Sequence, residues 1–197
     1  MRNFFSAISI ISIMTLAACG PNQEPKNENS AMLQKKPQEN VILKIGDNAP
    51  NIITKGALAG NEFELNLHEK LQKGPLVLYF FPKVFTPGCT AEAHEFAEQT
   101  EEFKKLGADI IGMSSDDIEG QKKFSKEECR DKFAVAIATP ETIKAYNVGF
   151  GPTGDRSNRT SFVIGQDGKI KFIYSNLDYK NHVKLTLEAV KALKEQK

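Results

Sequence analysis

The chain has 197 residues and a formal net charge of +1, with 40% hydrophobic residues and no tryptophan. This length suits one domain with an additional tail, and the composition is ordinary for a globular domain. The near-neutral charge gives no electrostatic reason to expect nucleic acid as a partner, and none is predicted.

The first 18 residues have the pattern of a signal peptide. Residues 1–3 form a short positive start, and residues 4–16 are mostly apolar. That apolar run is too short to span a bilayer, which takes about 20 residues. The run ends in Leu-Ala-Ala before Cys19, which resembles a bacterial lipoprotein signal in which Cys19 is lipidated. The alternative is a plain secretory signal that is cut at a nearby small residue.

Residues 19–40 are predicted to be a flexible tether. From Gly20 onward this segment has three prolines, no aromatic residue and no β-branched residue. It therefore has too little apolar surface to offset the entropy of ordering the chain. We expect a lipid anchor that holds the protein in the cell envelope, facing the periplasm. Gly20 after the lipidated cysteine favours the outer membrane over the inner one.

One folded domain is predicted for residues 41–197. The apolar run LVLYFF is typical of a strand buried on both faces, and Gly-Gln-Asp-Gly at residues 165–168 predicts a hairpin turn. Strands are predicted at residues 62–67, 76–81, 109–113, 133–138, 161–164 and 169–174. Helices are predicted at residues 92–106, 115–128, 140–146 and 178–193. This order predicts an α/β fold, a thioredoxin-like sandwich with a central mixed sheet flanked by helices.

Cys89 is predicted to lie in the first turn of a helix. Thr86 is a suitable N-cap, and Pro87 suits the first helical position. Unpaired backbone N–H groups and the positive end of the helix dipole favour an anion there. Because the thiolate is the nucleophilic form of cysteine, this position predicts a reactive thiol. A thiol buried only for packing would explain neither the cap nor Pro82.

Two motifs resemble those of the peroxiredoxin family. Pro82, Thr86 and Cys89 match the pattern of proline, three residues, threonine, two residues and cysteine. The run TPGCT that starts at Thr86 is similar to the Q-type, or bacterioferritin-comigratory, branch. Arg159, in SNRTSFVI just before a late strand, resembles the second signature of the family. The resemblance covers the chain from about residue 41 onward and implies a thiol-dependent peroxidase without a cofactor or a metal ion.

The resemblance implies roles for four residues. Cys89 would attack one peroxide oxygen as a thiolate and become a sulfenic acid. Arg159 would stabilise the thiolate and the charge on the departing oxygen. Thr86 would hydrogen-bond the peroxide, and Pro82 would pack over the cysteine and limit the access of water. The reductant would be a thioredoxin-like protein or a small thiol, and the protein would be a monomer or a dimer.

Two further residues, Glu92 and Cys129, leave alternatives open. Glu92 either steadies the arginine or the helix start, or is an ordinary acid in a first helical turn. His94 stands five residues after Cys89, where many Q-type members carry a second cysteine. Cys129 is therefore the remaining thiol of the mature domain. It either resolves the sulfenic acid or packs in the core, where free cysteines are common.

Other signals favour no additional site. The G-x-G-x-x-G match at residues 149–154 follows no predicted strand, opens no helix and contains a proline, so a nucleotide site is not expected. His68, His94 and His182 have no metal-ligand spacing with the cysteines. The absence of Cys-x-x-Cys argues against the alternative function, a thiol–disulfide oxidoreductase of the same fold. A non-catalytic binding module is disfavoured because the motif is complete.

Overall fold

The computed structural model describes residues 42–195. The predicted signal peptide, Cys19 and the tether lie outside these residues. The strands are β1 (Ile53–Leu58), β2 (Asn61–Asn66), β3 (Leu76–Phe80), β4 (Asp109–Ser114), β5 (Ala134–Ile137), β6 (Gly149–Phe150), β7 (Arg156–Ser157), β8 (Thr160–Ile164) and β9 (Ile170–Ser175). The helices are α1 (Leu67–Leu71), α2 (Pro87–Lys105), α3 (Ile118–Glu127), α4 (Pro140–Ala145) and α5 (His182–Glu195). A 3₁₀ turn at Tyr179–Asn181 precedes α5.

Seven of the strands form one mixed sheet in the order β2-β1-β5-β4-β3-β8-β9. Strand β3 pairs in parallel with β4, which pairs in parallel with β5. On its other side β3 pairs antiparallel with β8, where Phe80 lies opposite Thr160. The carboxyl end of β3 is therefore next to the beginning of β8. This register brings the segment after β3 close to the residues that precede β8.

The central strand β3 is buried on both faces, as its apolar run predicts. Successive side chains of a strand point to opposite faces. Val77 and Tyr79 pack in one core, together with residues of α2, α3 and α5. Leu78 and Phe80 pack in the other, together with residues of α1 and α4. Helices thus cover both faces of the sheet, which is the predicted layer arrangement.

Most predicted elements agree with the structure to within a few residues, but three expectations need correction. Strand β1 was not predicted; it pairs antiparallel with β2 along its whole length. The predicted helix 178–193 begins as a 3₁₀ turn. No strand was predicted at residues 149–154, but Gly149 and Phe150 pair with β7. Helix α2 begins at Pro87, as the predicted N-cap at Thr86 implies, and so extends the apolar pattern of residues 92–106 by five residues.

Within residues 42–195, the structure contains no helix that is both long enough and apolar enough to cross a bilayer.

Candidate active site

Helix α2 presents Cys89 in its first turn. Thr86 is the N-cap residue with an extended backbone, and Pro87 occupies the first helical position. The first intrahelical bond runs from the Thr90 N–H to the Thr86 carbonyl, 2.9 Å. The N–H groups of Gly88 and Cys89 therefore precede the helical ladder and point to its open end. Cys89 is free and only 2% exposed.

The hydroxyl of Thr86 does not cap the helix. It donates instead to the carbonyl of Lys83, 3.1 Å away, across the turn that leads into the helix. The expected N-cap position is thus correct, while the cap hydrogen bond is not made. Because the proton of the hydroxyl is committed to Lys83, its oxygen keeps free lone pairs beside the helix start.

The turn before Thr86 has a strained backbone. Phe85 has φ +58°, in the left-handed region that non-glycine residues rarely adopt. Such a residue costs roughly 1–2 kcal/mol, so neighbouring contacts must hold it. The ring of Phe85 packs edge-on against Phe124 at 5.3 Å, and Lys123 Nζ lies 5.3 Å from the ring centroid. Helix α3 therefore stabilises the turn that delivers Thr86 to the site.

Two side chains that were not predicted as site residues fix the segment after β3. Asp116 accepts a hydrogen bond from the Val84 N–H, 2.9 Å, and another from the Ser114 hydroxyl, 2.9 Å. The buried hydroxyl of Ser157 donates to the Phe81 carbonyl at 2.8 Å. Pro82 stands between these two attachment points and is half-buried. The position of Asp116 directly after the parallel neighbour of β3 was the sequence signal that could have indicated its role.

Arg159 connects the elements of the site. Its Nη2 donates to Cys89 Sγ at 3.4 Å, and its Nε donates to the Leu177 carbonyl at 2.9 Å. Its Nη1 forms a short hydrogen bond and ion pair with Glu92. Arg159 is 6% exposed and Glu92 is fully buried. Of the two alternatives for Glu92, the structure shows the contact with the arginine.

The charges of this group are strongly coupled. Burial raises the pKa of Glu92, against the opposing attraction of Arg159. Burial by itself lowers the pKa of Arg159, but Glu92 and Cys89 outweigh it, so the net shift is upward. The guanidinium therefore keeps its positive charge next to the sulfur.

Cys129 lies in a different environment. It follows the C-cap of α3 and is free and completely buried. Burial, and to a smaller extent the negative charge of Glu128, raises the pKa of its thiol well above the usual range. Two polar contacts tie this turn to α2: His94 Nε2 lies 2.7 Å from Glu128, and Arg130 lies 3.4 Å from Glu98. His94 thus contacts the segment that carries Cys129.

His182 is a site neighbour that sequence reasoning missed. It is fully buried, and its Nδ1 lies 3.8 Å from Glu92. Its other contacts are with Ser161 and Asn176. Within the described part of the chain, no cluster of three or more His, Cys, Asp or Glu side chains could hold a metal ion.

The arrangement of a helix-start thiol, a threonine and a buried arginine accords with comparisons to known proteins. Residues 45–173 match the model of the AhpC/TSA family. The chain belongs to this family. It is 32% identical over 155 residues to Peroxiredoxin Bcp of Escherichia coli K12, which covers 76% of this chain and 96% of that protein. It is 31% identical over 126 residues to the chloroplastic Peroxiredoxin Q of Sedum lineare, covering 64% and 68%.

Solved structures lead to the same family. Peroxidoxin BcpB of Mycobacterium tuberculosis superposes with a TM-score of 0.69 at 29% identity, covering 77% of this chain and 98% of that one. The predicted thioredoxin-like fold with a central mixed sheet is confirmed. As a peroxiredoxin the protein is a thiol-dependent peroxidase, an oxidoreductase, so the predicted reaction class is confirmed as well.

Proposed function

We propose that Cys89 is the peroxide-reacting cysteine of this peroxiredoxin. The observation that carries the proposal is the contact of Arg159 Nη2 with Cys89 Sγ at the start of α2. The thiolate attacks one peroxide oxygen, an S–O bond forms and the O–O bond breaks. Cys89 becomes a sulfenic acid, and the departing hydroxide or alkoxide takes up a proton and leaves as water or an alcohol.

The neighbouring groups stabilise this step. Arg159 balances the charge on the sulfur and then the charge that grows on the departing oxygen. The N–H groups of Gly88 and Cys89 donate to the peroxide at the open end of the helix. The oxygen of Thr86 accepts the hydrogen bond of the peroxide O–H, since its own proton is used by Lys83. Pro82 shields the cysteine from water.

A thiol reductant completes the cycle. Its thiol attacks the sulfenic acid, releases water and forms a mixed disulfide, which a second thiol reduces. A thioredoxin-like protein or a small thiol fits this chemistry. Cys129 is the candidate for an internal resolving thiol, since it lies in the same apolar core as Cys89. A one-cysteine cycle is the alternative, and the protein acts as a monomer or a dimer.

A peroxide-consumption assay with a supplied dithiol tests the proposed role of Cys89. The parent domain, residues 41–197, should consume hydrogen peroxide and an organic hydroperoxide, and Cys89→Ser should consume neither. Cys129→Ser is the matched control, because it removes the other buried thiol. Peroxide consumption by Cys89→Ser at the parental rate would contradict the proposal.

We infer that the enzyme works in the cell envelope, held by a lipid on Cys19. Support comes from the sequence of the first 19 residues, in which a positive start and an apolar run lead to Leu-Ala-Ala-Cys. In a bacterial host the full chain should partition into the membrane, preferentially the outer one, and incorporate labelled palmitate. Cys19→Ala should lose the label. An unlabelled parent with its N-terminus at another residue would contradict lipidation.

A further inference from the structure

We propose that His182 is a positioning residue for Arg159, because it fixes the backbone segment that holds the guanidinium. This inference rests on the proposed role of Arg159 at Cys89. The segment is the pair Asn176 and Leu177, directly after β9, and is called the strap below. His182, at the start of α5, lies beneath the strap and beside Glu92.

The strap holds both the backbone and the side chain of Arg159. The Asn176 N–H donates to the Arg159 carbonyl at 3.1 Å, and the Leu177 carbonyl accepts from Arg159 Nε at 2.9 Å. Both strap side chains are exposed, and Leu177 is 55% accessible. Apolar packing of these side chains therefore contributes little to holding the strap. Hydrogen bonds must therefore hold its backbone.

His182 provides that fixation. Its Nε2 lies 2.9 Å from the Asn176 carbonyl, and its Nδ1 lies 2.8 Å from the Ser161 hydroxyl. A carbonyl can only accept, so Nε2 carries the proton; in the neutral ring Nδ1 then accepts from the Ser161 hydroxyl. The ring also packs edge-on against Tyr174 at 4.7 Å. With three contacts and no exposed surface, the imidazole has one orientation, and it transmits that orientation to the strap.

The neutral form of the imidazole satisfies both contacts, with one ring nitrogen donating to the Asn176 carbonyl and the other accepting from the Ser161 hydroxyl. Burial lowers the pKa of His182 to about 4; the hydrogen bond to Asn176 opposes this shift, and the charge of Arg159 adds to it. His182 is therefore neutral at physiological pH, and both hydrogen bonds are retained.

The same ring lies behind the second attachment of Arg159. Nδ1 of His182 is 3.8 Å from Oε1 of Glu92, and that oxygen has no hydrogen-bond partner within residues 42–195. The other carboxylate oxygen binds Arg159. His182 thus limits the movement of both the Leu177 carbonyl and the Glu92 carboxylate. If the strap loosens, Arg159 loses its Nε attachment and its Nη2 is no longer held at the sulfur.

Two substitutions separate positioning from packing. In His182→Gln the amide nitrogen can replace Nε2 and still donate to Asn176. In His182→Asn the shorter amide can replace only Nδ1, so it keeps the bond to Ser161 and loses the strap. We expect His182→Asn to lower the second-order rate constant for hydrogen peroxide and the rate of Cys89 alkylation by iodoacetamide by about tenfold or more, whereas His182→Gln stays within about threefold of the parent.

The pairing with Arg159 is tested by a double-mutant cycle. If His182 acts through the guanidinium, His182→Asn should have little further effect in an Arg159→Ala background. Rate losses that multiply in the double variant would overturn the proposal. So would equal losses in the Gln and Asn variants, or parental rates in both. These results would leave His182 as a residue that serves only folding, visible as a lower melting temperature.

A surface variant keeps the test independent of core stability. The side chain of Asn176 accepts from the Asp178 N–H at 2.9 Å and so stiffens the strap from outside. Asn176→Ala should fold normally and lower the peroxide rate constant by about threefold; an unchanged rate would contradict the strap mechanism. Activity of the parent and its loss in Cys89→Ser are measured alongside. A parent without activity would reject the proposed function itself, whereas an active parent with unaffected strap variants would reject only this inference.

Discussion

Cys89 and Cys129 are both free and buried in one apolar core, yet they lie at opposite kinds of helix end. Cys89 is in the first turn of α2, where the helix dipole is positive and Arg159 donates to the sulfur. Cys129 follows the last turn of α3, where the dipole is negative and Glu128 is the adjacent charge. The first thiol therefore lies beside positive charge, and the second lies beside negative charge.

The difference shows that burial alone does not decide whether a cysteine is reactive. Burial disfavours every thiolate, and the two sulfurs are 2% and 0% exposed. What separates them is the sign of the nearby charge and the direction of the helix. This contrast supports the proposal that Cys89 is the peroxide-reacting cysteine, and under that proposal Cys129 reacts only when its turn opens.

Exchanging each cysteine for serine tests this comparison most directly. Cys89→Ser should abolish the fast reaction with hydrogen peroxide, a loss of at least a thousandfold, or about 4 kcal/mol of barrier. Cys129→Ser should keep the first step within about twofold, since its thiol is not the nucleophile. Stopped-flow measurement of the reduced domain gives both rate constants. A large loss in Cys129→Ser would break the comparison.

Removing the positive charge of Arg159 should make the two thiols more alike in reactivity. Arg159→Ala should slow the reaction of Cys89 with peroxide more than tenfold, about 1.4 kcal/mol or more. The matched control is Arg156→Ala, an exposed arginine three residues earlier. It should leave the second-order rate constant unchanged. Equal effects of the two substitutions would mean that net charge matters and the contact at the sulfur does not.

The stability of the buried group should depend on pH through His182. Its folded pKa of about 4 lies below the ordinary value of 6.5, so between these values the unfolded state binds more protons. This contribution is complete above pH 6.5 and is lost as the pH falls to 4, amounting to between about 1 and 3 kcal/mol. Urea unfolding of the parent and of His182→Gln should show a difference in the free energy of unfolding that decreases as the pH falls through this range. A difference that stays constant with pH would contradict the prediction.

The turn around Cys129 should open more easily when its ties to α2 are removed. Glu128→Gln weakens the contact with His94 and also removes a charge that raises the pKa of Cys129. If Cys129 resolves the sulfenic acid, the Cys89–Cys129 disulfide should form about two- to fivefold faster, as expected for a pair worth up to about 1 kcal/mol. Quenched alkylation with mass spectrometry measures the rate of disulfide formation.

The control for that experiment is Glu119→Gln, which breaks an exposed pair with Lys122 within α3. Its rate of disulfide formation should equal that of the parent. A trapped sulfenic or sulfinic acid at Cys89, with Cys129 still open to alkylation, would show that the turn does not deliver a resolving thiol. The enzyme would then use the one-cysteine cycle.

The sequence was most informative where chemistry depends on neighbouring residues. Short stretches of sequence predicted three features: the buried strand β3, the hairpin turn at residues 165–168 and the helix start at Pro87. Strand burial, turn residues and caps each depend on only a few neighbouring residues. Strand β1 was missed because it is a mixed polar segment, ITKGAL, and its exposure does not alternate regularly. Its pairing with β2 and β5 defines it more than its own composition does.

The sequence did not predict the contacts that complete the site. Glu92 and Arg159 are 67 positions apart, and Val84 and Asp116 are 32 apart. Family motifs placed the cysteine, the threonine and the arginine near one another, but no motif included His182. Its role depends on the register of β8, which brings Ser161 under α5, and on the course of the chain after β9. Such tertiary relations become visible only in three dimensions.

Two consecutive residues after Cys129, Arg130 and Asp131, have φ +52° and +59°. A left-handed non-glycine residue stores roughly 1–2 kcal/mol of conformational strain, and unfolding of the turn releases it. The amide protons of this turn should therefore exchange with deuterium faster than those in the middle of α3, even though the sulfur of Cys129 is fully buried. Cys129 would then be buried in the average structure and yet be transiently exposed to solvent on the timescale of hydrogen exchange.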